Sequence, residues 1–159
     1  MAIPDRVPIS YVPDYRTRFI GRYDEGEFFG SVTATLADGS GAEDDWYRHK
    51  RWYAVLHRFD ADGRHTGSDV WFAGTSEDEQ ASVDRAEARL VEWLDRLPGR
   101  VFADISIRLF QIEVDGQVFG LVEDFYEGDD EDDEAAEDHV EFLPDNLGFD
   151  PPWDGCYDT

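Results

Sequence analysis

Positive charge is what this chain lacks most. It has 14 Lys and Arg against 38 Asp and Glu, for a formal net charge of −24 over 159 residues. No Lys or Arg follows Arg108, so the last 51 residues hold 18 acidic side chains unopposed. Recognition of DNA, RNA or an anionic membrane rests on neutralising phosphate with basic side chains, and this balance argues against all three. Lysine is nearly absent: Lys50 is the single one, which reads as coding bias rather than function. Cysteine is almost as scarce. One residue, Cys156, excludes an internal disulfide and a multi-cysteine metal site, and its neighbours Asp154 and Asp158 disfavour a reactive thiolate. No apolar run approaches the roughly 18–20 residues that span a bilayer. The opening MAIPDRVPIS has no basic stretch followed by an apolar one, so no secretory leader is expected and a cytoplasmic protein is the simplest reading. Catalytic signatures are missing too: GxSxG, the phosphate-binding GxxxxGK[ST], GxGxxG between strand and helix, and HExxH. No cofactor or resident metal is therefore expected, although scattered catalytic residues leave an enzyme as one alternative.

The chain does have the means to fold. It is 41% apolar and carries 5 Trp, 7 Tyr and 11 Phe, far more than an acidic disordered chain would hold. Pro4, Pro8 and Pro13 suggest an irregular N-terminal arm lying on the domain. Residues 17–23 and 27–36 read as strands. In the second, Phe28, Val32, Ala34 and Leu36 share one face with Gly30, while Ser31, Thr33 and Thr35 face the other way with Phe29, the period-2 pattern of a half-buried strand. Residues 51–59 (RWYAVLHRF) form the strongest strand signal, expected at the sheet centre, and Asp60-Ala61-Asp62-Gly63 should turn it into residues 65–72.

One helix is expected after that hairpin. Ser76 and Glu79 have capping-box spacing, and Val83, Ala86, Leu90, Trp93, Leu94 and Leu97 form an apolar stripe. Pro98-Gly99 ends it. Residues 103–114 and 117–126 then flank Asp115-Gly116, a strong hairpin signal. The expected fold is α+β: a single largely antiparallel sheet of about six strands, in the order β-β-β-β-α-β-β, with one main helix on one face. The domain plan is a core over 1–126, an acidic loop over 127–138, and a C-terminal segment over 139–159 that docks back on the core. The loop has nine carboxylates in twelve residues, too polar to offset its ordering entropy, and is expected to be disordered.

Four groups of residues are candidates for function. The unbroken acidic run Asp129, Asp130, Glu131, Asp132, Asp133 and Glu134 could meet a basic partner, mimic a nucleic-acid backbone or collect cations, against the plainer reading of a solvated linker. It lacks the glycine and ligand alternation of a calcium-binding loop. Asp60, Asp62 and His65 could ligate a metal, but DADG is ordinary turn chemistry. Of His49, His57, His65 and His139, His57 would be the first choice as a general base, against the plainer reading of a hydrogen-bonded core histidine. Trp46, Tyr47, Arg48 and Arg51 could anchor a protein partner, since Trp, Tyr and Arg dominate interface hot spots.

The stretches PDYRTRFIGRYDEGEFFGSV, HKRWYAVLHRFDADGRHTGSDVWFAGTS, RAEARLVEWLDRLPGR and LGFDPPWDGCYDT together resemble a group of small actinobacterial proteins labelled formate hydrogenlyase regulatory protein-like. The resemblance covers most of the chain except the acidic run. It implies a cytosolic, non-enzymatic regulator acting through protein contacts, and it assigns no residue a role. Three functions therefore stand as expectations: a regulatory or adaptor protein binding another protein; an acidic inhibitor or immunity-type protein neutralising a basic partner through residues 129–134; and an enzyme or metal protein using His57, Asp60, Asp62 and His65.

Overall fold

The computed structural model describes residues 3–36, 44–123 and 139–158. Its strands are β1 (Val7–Ile9), β2 (Phe19–Tyr23), β3 (Gly26–Leu36), β4 (Lys50–Phe59), β5 (His65–Thr75), β6 (Val101–Phe102), β7 (Ile105–Ile107), β8 (Phe110–Val114), β9 (Gln117–Glu123), β10 (Val140–Leu143) and β11 (Leu147–Phe149). A short helix, α1 (Trp46–His49), precedes β4, and the long helix α2 (Glu79–Leu94) follows β5. The strands form three sheets: a five-stranded one in the order β5-β4-β3-β2-β6, a four-stranded one in the order β11-β10-β9-β8, and the pair β1-β7. The expectation of one six-stranded sheet is thus overturned. The protein is sheet-rich, with α2 as its one substantial helix.

The cause lies in residues 103–114, which read as one strand. Their apolar positions are Ile105 and Ile107, then Phe110, Ile112 and Val114. The parity changes from odd to even between 107 and 110, and a strand cannot change faces without breaking. Leu109 is left exposed at the break. Just before this stretch, β6 pairs with β2. Within it, β7 pairs with β1 and β8 with β9, so neighbouring residues serve three different sheets. The proline-bearing N-terminal arm is likewise not wholly irregular: β1 puts Val7 and Ile9 fully into the core.

The layers stack as helix, sheet, sheet. On one face of the five-stranded sheet, Phe28, Ala54, Leu56 and Ala73 meet Ala86, Leu90 and Leu94 of α2. On the other face, Ile20, Phe29 and Phe59 meet Leu121, Val140, Phe142, Leu147 and Phe149, and Tyr53 and Val55 meet Phe119. Phe29 and Phe142 stack with centroids 3.9 Å apart. Strand β3 is therefore covered on both sides. Ser31, Thr33 and Thr35, expected to face water, are buried under the second sheet.

The helix begins differently from the capping box that Ser76 and Glu79 suggested. A 3-10 turn, Ser76–Asp78, leads into α2, and Thr75 caps it by accepting from the Glu77 N–H at 3.3 Å. Ser76 Oγ instead donates to Glu79 Oε1 at 2.8 Å and accepts from the Trp52 indole at 2.9 Å. The Asp115-Gly116 turn has both residues at positive φ, as a two-residue hairpin requires.

One buried ion pair ties the arm to the sheets. Arg6 Nη2 donates to Glu27 Oε1 at 2.7 Å, and the Ser106 N–H donates to Glu27 Oε2 at 3.0 Å. Glu27 is almost fully buried, whereas the Arg6 side chain is 34% exposed. Removing the arginine leaves a buried carboxylate short of a partner, and solvent access at Arg6 reduces the cost below that of a fully enclosed pair. Arg6→Ala is expected to destabilise by about 1–3 kcal/mol in urea unfolding, with Glu27→Gln in the same background recovering part of the loss.

Candidate functional site

Strand β2 covers only half of β3. Their pairing runs from Tyr23 opposite Gly26 to Phe19 opposite Gly30 and stops there. Beyond it, residues 31–36 pair with β4 on one side, while no strand pairs with their other edge among the described residues. A cleft of about 740 Å³ runs along this edge, lined by Val32, Thr33, Ala34, Thr35 and Leu36. Leu143, Pro144 and Asn146 form the opposite wall, where β10 turns into β11. Gln117 and Val118 at the start of β9 close one side.

Helix α1 and the start of β4 supply the third wall, Trp46, Lys50 and Trp52. The four residues of α1 bury nothing fully, and Trp46 remains 42% exposed. Lys50 Nζ lies 5.0 Å from the Trp52 ring centre and 5.9 Å from that of Trp46, so the ammonium rests between two indoles. Arg16 borders the other end. Among the described residues lining the cleft, Arg16 and Lys50 are charged and none is acidic, although acidic residues outnumber basic ones by more than two to one in the chain.

The expected partner-binding residues divide here. Trp46 lines the cleft. Tyr47 stands edge-on to Trp46, and Arg48 lies over Tyr47 at 5.8 Å, making an exposed shoulder beside it. Arg51 points to the other face of the sheet. Its guanidinium lies 4.0 Å over Phe72, and its Nε donates to Tyr53 Oη, which donates to Asp115 Oδ2 at 2.9 Å. Arg51 therefore clips the β8–β9 turn to β4. The acidic residues 129–134 lie outside the described residues. The strands that flank them, ending at Glu123 and beginning at Val140, pair at the end of the β9–β10 hairpin remote from the cleft.

None of the remaining candidates lines the cleft. Asp60 Oδ1 accepts from the N–H groups of Asp62 and Arg64 at 2.9 and 3.0 Å, and these backbone bonds hold its carboxyl below the usual range. His65 is drawn elsewhere: its Nε2 lies 2.7 Å from Ser68 Oγ, which also lies 2.6 Å from His57 Nδ1. A hydroxyl has one proton, so Ser68 donates to at most one imidazole and accepts from at least one. This bridge pins the β4–β5 hairpin beneath Phe110 and Phe142. His57 is fully buried, and burial followed by the charge of His65 pushes its pKa down to about 3. It is neutral at pH 7. His49 sits 3.5 Å from Asp45 and His139 4.0 Å from Asp150. Cys156 is exposed, and Asp154 raises its thiol pKa. Among the described residues no group of His, Cys, Asp and Glu is placed to hold a metal ion, and no helix is long and apolar enough to cross a membrane.

Compared with protein-family models, curated proteins and solved structures, the chain matches none. Its function has to be argued from the chemistry of the cleft. Arg16, which lines the cleft, and Asp145, which lies in an adjoining recess, carry no signal in the sequence. Arg16 falls just before the strand expected over residues 17–23. Asp145, in Pro144-Asp145-Asn146, looks like turn chemistry and is turn chemistry, yet its side chain goes inward. No local pattern distinguishes an inward aspartate at a turn from an outward one.

Proposed function

We propose that this is a cytoplasmic regulatory or adaptor protein that acts by contact with another protein, taking an extended segment of its partner along the open edge of β3. The observation that carries this reading is the pairing limit of β2. Among the described residues it leaves residues 31–36 with an unpaired edge, about 20 Å long at ~3.3 Å per residue, inside a cleft instead of on an open surface. Unpaired edges are usually shortened, covered or charged, because they recruit other strands. A partner strand added here gains main-chain hydrogen bonds from β3. Its alternate side chains face Trp46, Lys50 and Trp52 on one side, and Thr33, Thr35, Gln117 and Asn146 on the other. The second reading, an acidic inhibitor neutralising a basic partner through residues 129–134, is supported by charge composition alone.

Affinity capture from native cells at low and moderate salt separates the two. If the cleft binds, Trp46→Ala weakens capture of the partner by about 30-fold or more, as loss of a hot-spot aromatic of roughly 2 kcal/mol does. Deletion of residues 127–138 then leaves capture nearly unchanged. If capture instead fails on that deletion, falls steeply with salt and survives Trp46→Ala, the cleft reading is wrong and the acidic-inhibitor reading stands.

A further inference from the structure

The open edge of β3 is blocked at one end. A strand added beside residues 31–36 would lie collinear with β2, whose first residue Phe19 already occupies the position opposite Gly30. An incoming segment therefore has to end or turn away at Ser31.

At that point the structure has a recess of about 190 Å³, lined by Tyr15, Arg16, Arg18, Phe19, Ser31, Val32 and Asp145. It shares Arg16 and Val32 with the cleft. Asp145 is 6% exposed. Its Oδ2 accepts from Ser31 Oγ at 2.8 Å, and Thr33 also donates to the carboxyl. Its Oδ1 is buried with no hydrogen-bond partner among the described residues. Arg16 donates from Nη2 to the Asp145 backbone carbonyl at 2.7 Å, and its charge offsets part of the cost of burying the carboxyl without a hydrogen bond to Oδ1. An enclosed carboxylate with one idle oxygen is costly to bury, and burial accordingly raises the Asp145 pKa. The group that relieves this cost is a compact cation rich in donors.

We infer that the partner segment enters with a free N-terminus, its α-ammonium seated on Asp145 Oδ1 and its chain running from Ser31 toward Leu36, parallel to β3. The direction follows from the block and the charge of Asp145 together: the segment stops at Ser31, and with its amine on the carboxyl the residue there is its first. An ammonium on Oδ1 matches Asp145 in charge and supplies three donors, whereas a C-terminal carboxylate on that oxygen would meet a like charge. Of the two guanidiniums lining the recess, Arg16 is bonded to the Asp145 carbonyl and Arg18 is drawn to Glu87 at 3.4 Å. The Arg16 guanidinium, between recess and cleft, then faces the first carbonyls of the segment. Capture of a terminal amine is an established mode of peptide recognition. This inference rests on the reading of the cleft as a strand-accepting site.

The test uses a pool of randomised hexapeptides, synthesised once with free amines and once N-acetylated, passed over the immobilised full-length protein and quantified by mass spectrometry. The free pool is expected to be retained at least tenfold better than the acetylated pool, and Asp145→Asn is expected to erase the difference. The asparagine keeps an acceptor for Ser31 and Thr33 and removes a buried charge, so the variant should melt no lower than the parent. If it melts lower and retains both pools as the parent does, Asp145 is structural only and the inference is wrong. Equal retention of both pools, lost in Trp46→Ala, overturns the amine and leaves the cleft. Retention of neither pool overturns both.

Discussion

Phe142→Ala is expected to remove about 3–5 kcal/mol of stability, the range for truncating a buried phenylalanine. Phe142 is 1% exposed and belongs to β10, in the interior of the four-stranded sheet. It stacks on Phe29 of β3 and stands against Phe110 and His57, with ring centroids 5.9 and 5.7 Å away. Truncation opens a cavity between two sheets that cannot close, because each is held by its own ladder. Domains of this size have about 5–15 kcal/mol in total, so a fifth or more of the stability is at stake. Urea unfolding followed by tryptophan fluorescence and far-ultraviolet circular dichroism should show one transition at a lower midpoint with an unchanged slope. Val118→Ala, on the neighbouring strand but exposed, should cost less than about 1 kcal/mol. A loss below about 1 kcal/mol for Phe142→Ala would mean that residues 140–149 do not form a structural strand pair, and the stacking of the two sheets would have to be abandoned.

How far the sequence reveals this fold depends on the range of the interaction concerned. The two hairpin turns, at Asp60–Gly63 and at Asp115-Gly116, and the apolar stripe of α2 are local, and local chemistry specifies them. The partition of strands into sheets is not local. The parity change between Ile107 and Phe110 was present in the sequence, but its meaning depends on β1, β2 and β9 being at hand to receive β7, β6 and β8. The Ser31-Thr33-Thr35 face shows the same limit. Alternating hydroxyls read as a solvent face, and only the arrival of Asp145 from 114 residues away allows Ser31 to be buried with its hydroxyl satisfied. The site divides along the same line. Trp46, Tyr47 and Arg48 stand out by residue type, and Trp46 does line the cleft. The open edge that makes the cleft useful is a property of where β2 stops, which no residue type announces.

Acidification should expose the cost of burying His57. The folded state holds its imidazole neutral down to about pH 3, while the unfolded chain protonates it near the ordinary 6.5. Between those values the unfolded state binds a proton that the folded state does not. Stability therefore falls as pH drops, by up to about 1.4 kcal/mol per pH unit, and the contribution is fully present only above pH 6.5. His65, also lowered by burial, adds in the same direction. Asp145 acts oppositely. Its raised pKa makes the folded state take up a proton before the unfolded chain does, so acidification above pH 3.8 relieves a strain there. Loss of the chain's large negative self-repulsion on acidification also favours the folded state. The parent's slope is the sum of these, and single variants separate them. His57→Asn keeps a polar atom near Ser68 Oγ and removes the titration. It should be less stable than the parent at pH 7.5 and lose less on going to pH 5. Asp145→Asn should lose more than the parent wherever the pH falls through the range in which the buried carboxyl takes up its proton. Urea midpoints of the three proteins at pH 7.5, 6 and 5 give the comparison, and parallel curves for His57→Asn and the parent would show that His57 is not held neutral by its surroundings.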